Sequence, residues 1–151
     1  MLRNSLNDAL KAAMRDRDSA TTSTVRLILA GLKDRDIAAR PKGNSTGIGD
    51  DEILSMLQGM IKQRRESIAL YEKGKRPDLV DKETAEIVVI ERFLPQQMDE
   101  SAAAQAIAKV IDELGATTVK DMGRIMAELK ARHAGQMDFA KASALVKQRF
   151  G

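Results

Sequence analysis

The sequence predicts an all-α fold, with an N-terminal helical bundle over residues 1–95 and a small three-helix C-terminal module over 99–151. Three observations predict it. Aromatic residues, which favour strands, are scarce: one Tyr, three Phe and no Trp. Ala, Leu, Lys, Glu and Arg, which favour helices, are abundant. Apolar residues recur at spacings of three and four, the period of an amphipathic helix. A length of 151 residues accommodates one domain or two small ones.

The first helix is expected at about 2–17, with Leu2, Leu6, Ala9, Leu10, Ala13 and Met14 on one face. The Asp-Ser-Ala-Thr-Thr run at 18–22 breaks it and caps a second helix at about 22–39, where Val25, Ile28, Leu29, Leu32 and Ile37 point inward. Residues 40–49, "RPKGNSTGIG", are a loop by composition. Its glycines do not form a phosphate cradle. No Lys-Ser/Thr pair opens the next helix; Asp50, Asp51 and Glu52 do, and carboxylates there repel phosphate.

A third helix spans about 51–73, with Ile53, Leu57, Met60, Ile61, Ile68 and Tyr71 on one stripe and Arg64 in its middle. A cation so placed snorkels out or meets a carboxylate on the facing helix, Glu83 or Glu86. Gly74 is the expected stop. The fourth helix runs from about 78 to 93 and ends at Pro95, and the domain boundary is expected at 95–99. Helices at about 99–114, 119–133 and 138–150 follow, with Gly115 and Gly135 as stop glycines. Thr118 and Asp121 have capping-box spacing.

The chain contains no cysteine, which excludes disulfides, thiolate metal sites and a cysteine nucleophile. It has no apolar run long enough for a membrane span, and its N-terminus does not read as a signal peptide. These features point to a cytosolic protein. Ser-His-Asp chemistry would have only His133 as base, without a recognisable nucleophile context. A single histidine and scattered carboxylates form no metal-binding pattern, and no cofactor is expected.

Charge is unevenly placed. Residues 1–40 carry eight Lys/Arg and five Asp/Glu, and residues 96–118 carry one and four. Residues 119–151 carry seven cations (Lys120, Arg124, Lys130, Arg132, Lys141, Lys147 and Arg149) against Asp121, Glu128 and Asp138, a local charge of +4. A basic helical module of this kind holds a nucleic-acid backbone through counterion release, without reading bases. The alternative is a plain solvated face. Around 62–86, cations and carboxylates interleave, which suits i,i+4 pairing better than a phosphate track.

Particular runs in the chain resemble the GatB/YqeY family. They are Lys-Gln-Arg-Arg-x-Ser-Ile at 62–68, Arg76-x-Asp78-Leu79, Lys82-Glu83, Glu86-Ile87, Leu94-Pro95 and Lys120-Asp121-Met122-Gly123-x-x-Met126. The resemblance covers essentially the whole chain and is to the short stand-alone members, themselves similar to the C-terminal tail of the B subunit of glutamine-dependent tRNA amidotransferase. It implies an all-α fold. It also implies Lys62, Arg64, Arg65, Arg76, Lys82, Glu83, Glu86, Pro95, Asp121, Gly123, Met126 and Gly135 as motif residues of structural weight. Gly123, beside the methionines, would let another helix approach closely.

In the amidotransferase the tail helps to hold tRNA, while the glutamyl-activating cradle and the amidase lie elsewhere. The family's carbon–nitrogen ligase link therefore implies a non-catalytic tRNA-binding or amidotransferase-associated protein. A helical protein–protein adaptor that does not bind RNA is the competing expectation.

Overall fold

The computed structural model describes residues 1–150. Among them are seven α-helices and no strand, so the fold is all-α. The helices are α1 (Leu2–Arg15), α2 (Ser19–Ala39), α3 (Asp50–Lys73), α4 (Pro77–Glu91), α5 (Glu100–Leu114), α6 (Met122–His133) and α7 (Phe139–Phe150). Single turns of 3-10 helix occur at Arg40–Lys42 and Val119–Asp121. The chain divides into two compact units, one of residues 1–94 and a second beginning at Pro95.

In the first unit, α1 and α2 are joined by a tight corner. Asp18 caps α2: its carboxylate accepts the Thr21 N–H at 3.1 Å and the Thr21 hydroxyl at 2.6 Å. The face of α2 at Thr21, Thr24, Val25, Ile28 and Leu32 is buried. Ile28, Leu32, Ile53, Met56, Leu57, Ile61, Ile87 and Ile90 form the core with Leu6 and Ile48. Ile37 is not part of it; it is 46% exposed, because the buried stripe of α2 ends one turn earlier at Leu32.

Two helix ends differ from the sequence reading. Gly74 has φ −80°, and the left-handed residue is Lys75, with φ 54°. The Arg76 N–H bonds the Tyr71 carbonyl at 2.9 Å and the Lys75 N–H bonds the Glu72 carbonyl at 3.2 Å. This is a Schellman stop with lysine, one residue later than glycine predicts. Helix α4 ends at Glu91, four residues before Pro95, and unwinds through 3-10-type bonds from the N–H groups of Arg92, Phe93 and Leu94.

The Lys75 stop supports a test. Lys75→Gly should raise the stability of the first unit by about 0.5–1 kcal/mol, since glycine takes positive φ without the Cβ penalty that lysine bears. Tyr71 is the single tyrosine in a chain without tryptophan. Its fluorescence during urea unfolding reports this unit, and the midpoint should move up.

In the second unit, α5, α6 and α7 enclose Ile107, Val110, Ile111, Ile125, Leu129, Met137, Ala142 and Val146. Asp99 caps α5 by accepting the Ala102 N–H at 2.7 Å, and Gly115 ends it at φ 63°. The expected capping box at Thr118 does not form, because its side chain makes no cap bond. The Asp121 carboxylate instead reaches back to the Thr117 N–H at 3.3 Å.

Candidate nucleic-acid interface

The basic module is built on the three-helix unit. Ile125 and Leu129 of α6, and Ala142 and Val146 of α7, face its core. The other sides of these helices, together with Lys120 in the 3-10 turn before α6, carry the cations. Two of the seven are committed to carboxylates. Arg124 Nη2 donates to Asp121 at 2.9 Å, and that bond holds the Asp121 carboxyl below its usual range. Arg132 pairs with Glu113 of α5 and, at 2.7 Å, with Glu128; these bonds raise its guanidinium pKa. The Asp138 carboxylate accepts the N–H groups of Ala140 and Lys141 at the start of α7, at 2.9 and 3.3 Å.

The acids of this stretch, Asp121, Glu128 and Asp138, are therefore occupied by arginines or by backbone. Lys120, Lys130, Lys141, Lys147 and Arg149 are exposed and form no ion pair among the described residues. They do not make one straight track. At about 100° per residue, Lys141 and Lys147 diverge by roughly 120° around α7. The result is a distributed positive surface that can bind a polyanion at several points and has no geometry for reading a base edge.

His133 lies in the last turn of α6, half-buried, with Nδ1 3.0 Å from the Gln136 side-chain oxygen. Its partner is thus a turn residue, and the Gln136 N–H in turn bonds the His133 carbonyl at 3.0 Å. Gly135, at φ 75°, makes this turn. Its carbonyl accepts Gln97 Nε2 at 2.6 Å, while the Met98 N–H bonds the Gln136 carbonyl at 2.9 Å. Gln97 and Gln136 carry no periodic or motif signal, so sequence reasoning did not find them.

Gly123 does not mediate a close approach. It is exposed, and a Cβ there would meet nothing within 4 Å. It lies on the solvent side of α6, a quarter-turn and more from buried Ile125. Met126 packs, partly buried, against the core. Pro95 is half-buried at the start of this unit.

The remaining motif residues belong to the first unit. Arg64 on α3 donates from Nε to Glu86 on α4 at 2.8 Å and from Nη1 to the Met60 carbonyl at 3.1 Å, with Glu83 at 3.9 Å. All three charged side chains are largely buried, at 13%, 14% and 20% exposure for Arg64, Glu86 and Glu83. Arg65 reaches Glu91 at 3.6 Å, and Arg76 chelates Asp78 at the α4 start. Lys62 and Lys82 are exposed and form no ion pair among the described residues; the expected Arg64 pair across the helices forms, Arg65 pairs across them too, and the i,i+4 pairs expected beside them do not involve these lysines.

Among the described residues there is no group of three His, Asp or Glu that could hold a metal ion. No helix there is long and apolar enough to cross a membrane.

A family model described as Yqey-like protein matches residues 3–150. Curated relatives carry the name altered inheritance of mitochondria protein 41, mitochondrial. The one from Kluyveromyces lactis is 31% identical over 110 residues, covering 71% of this chain and 57% of the relative. That from Lachancea thermotolerans is 32% identical over 105 residues, covering 70% and 54%. A Saccharomyces cerevisiae relative is 32% identical over 111 residues, covering 72% and 58%. The chain thus spans about half the length of the curated relatives it matches.

These names overturn the expectation of a cytosolic protein, since the relatives are named as mitochondrial. That expectation rested on missing cysteines and missing apolar runs, features that mitochondrial and cytosolic proteins can share. The match over nearly the whole length carries the family assignment: the chain belongs to the Yqey-like protein family, the GatB/YqeY domain family.

Proposed function

We propose that this protein is a non-catalytic tRNA-binding or amidotransferase-associated member of its family, and that its C-terminal unit holds the RNA backbone. The observation that carries the reading is the charge left over after internal pairing. Over residues 119–150, Asp121, Glu128 and Asp138 are consumed by Arg124, Arg132 and the α7 cap, and Lys120, Lys130, Lys141, Lys147 and Arg149 remain. Such cations bind phosphate by releasing condensed counterions. The single histidine is held by a glutamine in a turn, an arrangement that suits packing rather than proton transfer.

The test uses four lysines. Arg124 and Arg132 are poor choices, because their loss also breaks ion pairs within the unit. Replacing Lys120, Lys130, Lys141 and Lys147 together by Gln should leave helicity and unfolding unchanged, since all four are exposed and form no ion pair among the described residues. Affinity for unmodified tRNA, read by fluorescence anisotropy at low salt, should fall at least tenfold. An unchanged affinity in the quadruple variant favours the adaptor reading. So does a wild-type protein that does not bind tRNA at low salt.

A further inference from the structure

The first unit carries a second basic surface that the tRNA reading does not use. It is an open groove on the outer side of the α1–α2 corner, with a volume of about 610 Å³. Met14 and Leu27 line it, 52% and 47% exposed. Arg17 and Arg26 line it too, and Arg26 Nη2 lies 4.0 Å from the Met14 sulfur. A neighbouring depression shares Met14 and adds Lys11, Arg15 and Asp8.

Charge and apolar surface meet here in an unusual way. Lys11, Arg15, Arg17 and Arg26 form no ion pair among the described residues, and the single carboxylate in the lining is Asp8. Asp18 at the same corner is occupied as the α2 cap, and Asp16 lies beside the groove without lining it. The two exposed apolar side chains are flanked by these unpaired cations. Met is a soft, adaptable side chain suited to a binding surface. Removing Met14 and Leu27 from water stabilises a complex only if the partner supplies apolar atoms. A phosphate backbone supplies none.

We propose that the α1–α2 groove docks an acidic amphipathic helix of a partner protein, with apolar residues at i, i+3/i+4 and i+7 against Met14 and Leu27, and flanking carboxylates against Lys11, Arg15, Arg17 and Arg26. This is the helix-in-groove mode with charge complementarity on its rim. It is independent of tRNA binding by the C-terminal unit, which lies in other residues.

The probe is a synthetic amphipathic helix with Leu at those positions and Glu beside them, titrated into the full chain by calorimetry. Polyglutamate of the same length is the comparison. The wild type should bind the amphipathic peptide at least tenfold more tightly than polyglutamate. Met14→Gln with Leu27→Gln should weaken it by about tenfold or more, the scale of a central apolar anchor. Arg17→Gln with Arg26→Gln should do the same and flatten the salt dependence.

All four substituted side chains are exposed, so Tyr71 fluorescence should report unchanged unfolding. If a variant does fold poorly, amide shifts in the wild type provide the second readout and should change on α1 and α2. Three results overturn the proposal: no binding of the amphipathic peptide, equal binding of polyglutamate, or unchanged binding after loss of Met14 and Leu27. A groove whose arginines matter to tRNA and not to the peptide is a nucleic-acid contact, and it overturns the proposal as well.

Discussion

Replacing Arg64 with Ala should lower the stability of the N-terminal bundle by about 2–3 kcal/mol, somewhat below the cost of breaking a fully buried ion pair. Arg64 joins α3 to α4 through Glu86 at 2.8 Å and holds the Met60 carbonyl at 3.1 Å. Its removal leaves Glu86, 14% exposed, and Glu83, 20% exposed, close together without their cation. Two carboxylates left together in a poorly hydrated site repel each other, and opening the interface to hydrate them costs packing free energy. Urea unfolding followed by Tyr71 fluorescence reads the loss.

A second variant separates an uncompensated charge from lost packing. Arg64→Met combined with Glu86→Leu and Glu83→Gln removes the charged cluster as a unit, and should recover most of the stability. Arg64→Ala that unfolds like the wild type while losing tRNA affinity would make Arg64 a binding residue instead.

Gly47→Ala should cost about 2 kcal/mol. Gly47 has φ +103°, where a Cβ is strained whatever the surrounding space. Its Cβ would also lie 2.7 Å from Arg3 Nη2 and 3.0 Å from Asp36 Oδ1. Those atoms are not free to move without loss. Arg3 grips Asp36 through two bonds of 2.6 and 3.1 Å and donates to the Ile48 carbonyl at 3.0 Å, while Asp36 accepts the Ile48 N–H at 2.9 Å. The cluster ties α1, α2 and the 40–49 loop together and seats buried Ile48 in the core.

The Arg3 hydrogen bond holds the Asp36 carboxyl below its usual range. Because the folded-state value is depressed, this contribution is complete above the ordinary aspartate pKa of about 4 and is lost as pH falls through the folded value. The wild type and Gly47→Ala should therefore converge in stability under acid, leaving only the backbone strain between them. A Gly47→Ala protein with a wild-type urea midpoint at neutral pH would contradict this picture of the loop.

The helices were legible because each one buries a stripe: Leu6 with Ala13, Ile53 with Leu57 and Ile61, and Val110 with Ile107. Their ends were less so. Gly74 looked like the stop because glycine tolerates positive φ, yet Lys75 takes that conformation, and local sequence does not encode which residue the following chain twists. Gly123 looked like a packing glycine, but its side of α6 faces solvent.

Arg64 had to snorkel or find a glutamate, and spacing alone left Glu83 and Glu86 equivalent; the two differ by their reach, 3.9 against 2.8 Å. Over residues 119–151, the sequence count of +4 treats every cation alike. The pairing of Arg132 with Glu113 depends on the packing of α5 against α6, which periodicity does not specify. The α1–α2 groove was hidden for the same reason. Met14 read as part of the apolar face of α1, and only the packed structure leaves it 52% exposed beside Leu27.

The most direct test of the tRNA reading is the salt dependence of tRNA affinity. Binding by exposed, unpaired lysines predicts a linear fall of log affinity with log salt, with a slope of about one unit per phosphate neutralised. Replacing Lys120, Lys130, Lys141 and Lys147 by Gln should reduce that slope by up to about four units if each lysine meets a phosphate. A wild-type affinity that does not change with salt, or a slope that survives the four substitutions, would contradict the assignment of the C-terminal unit as the RNA-holding surface.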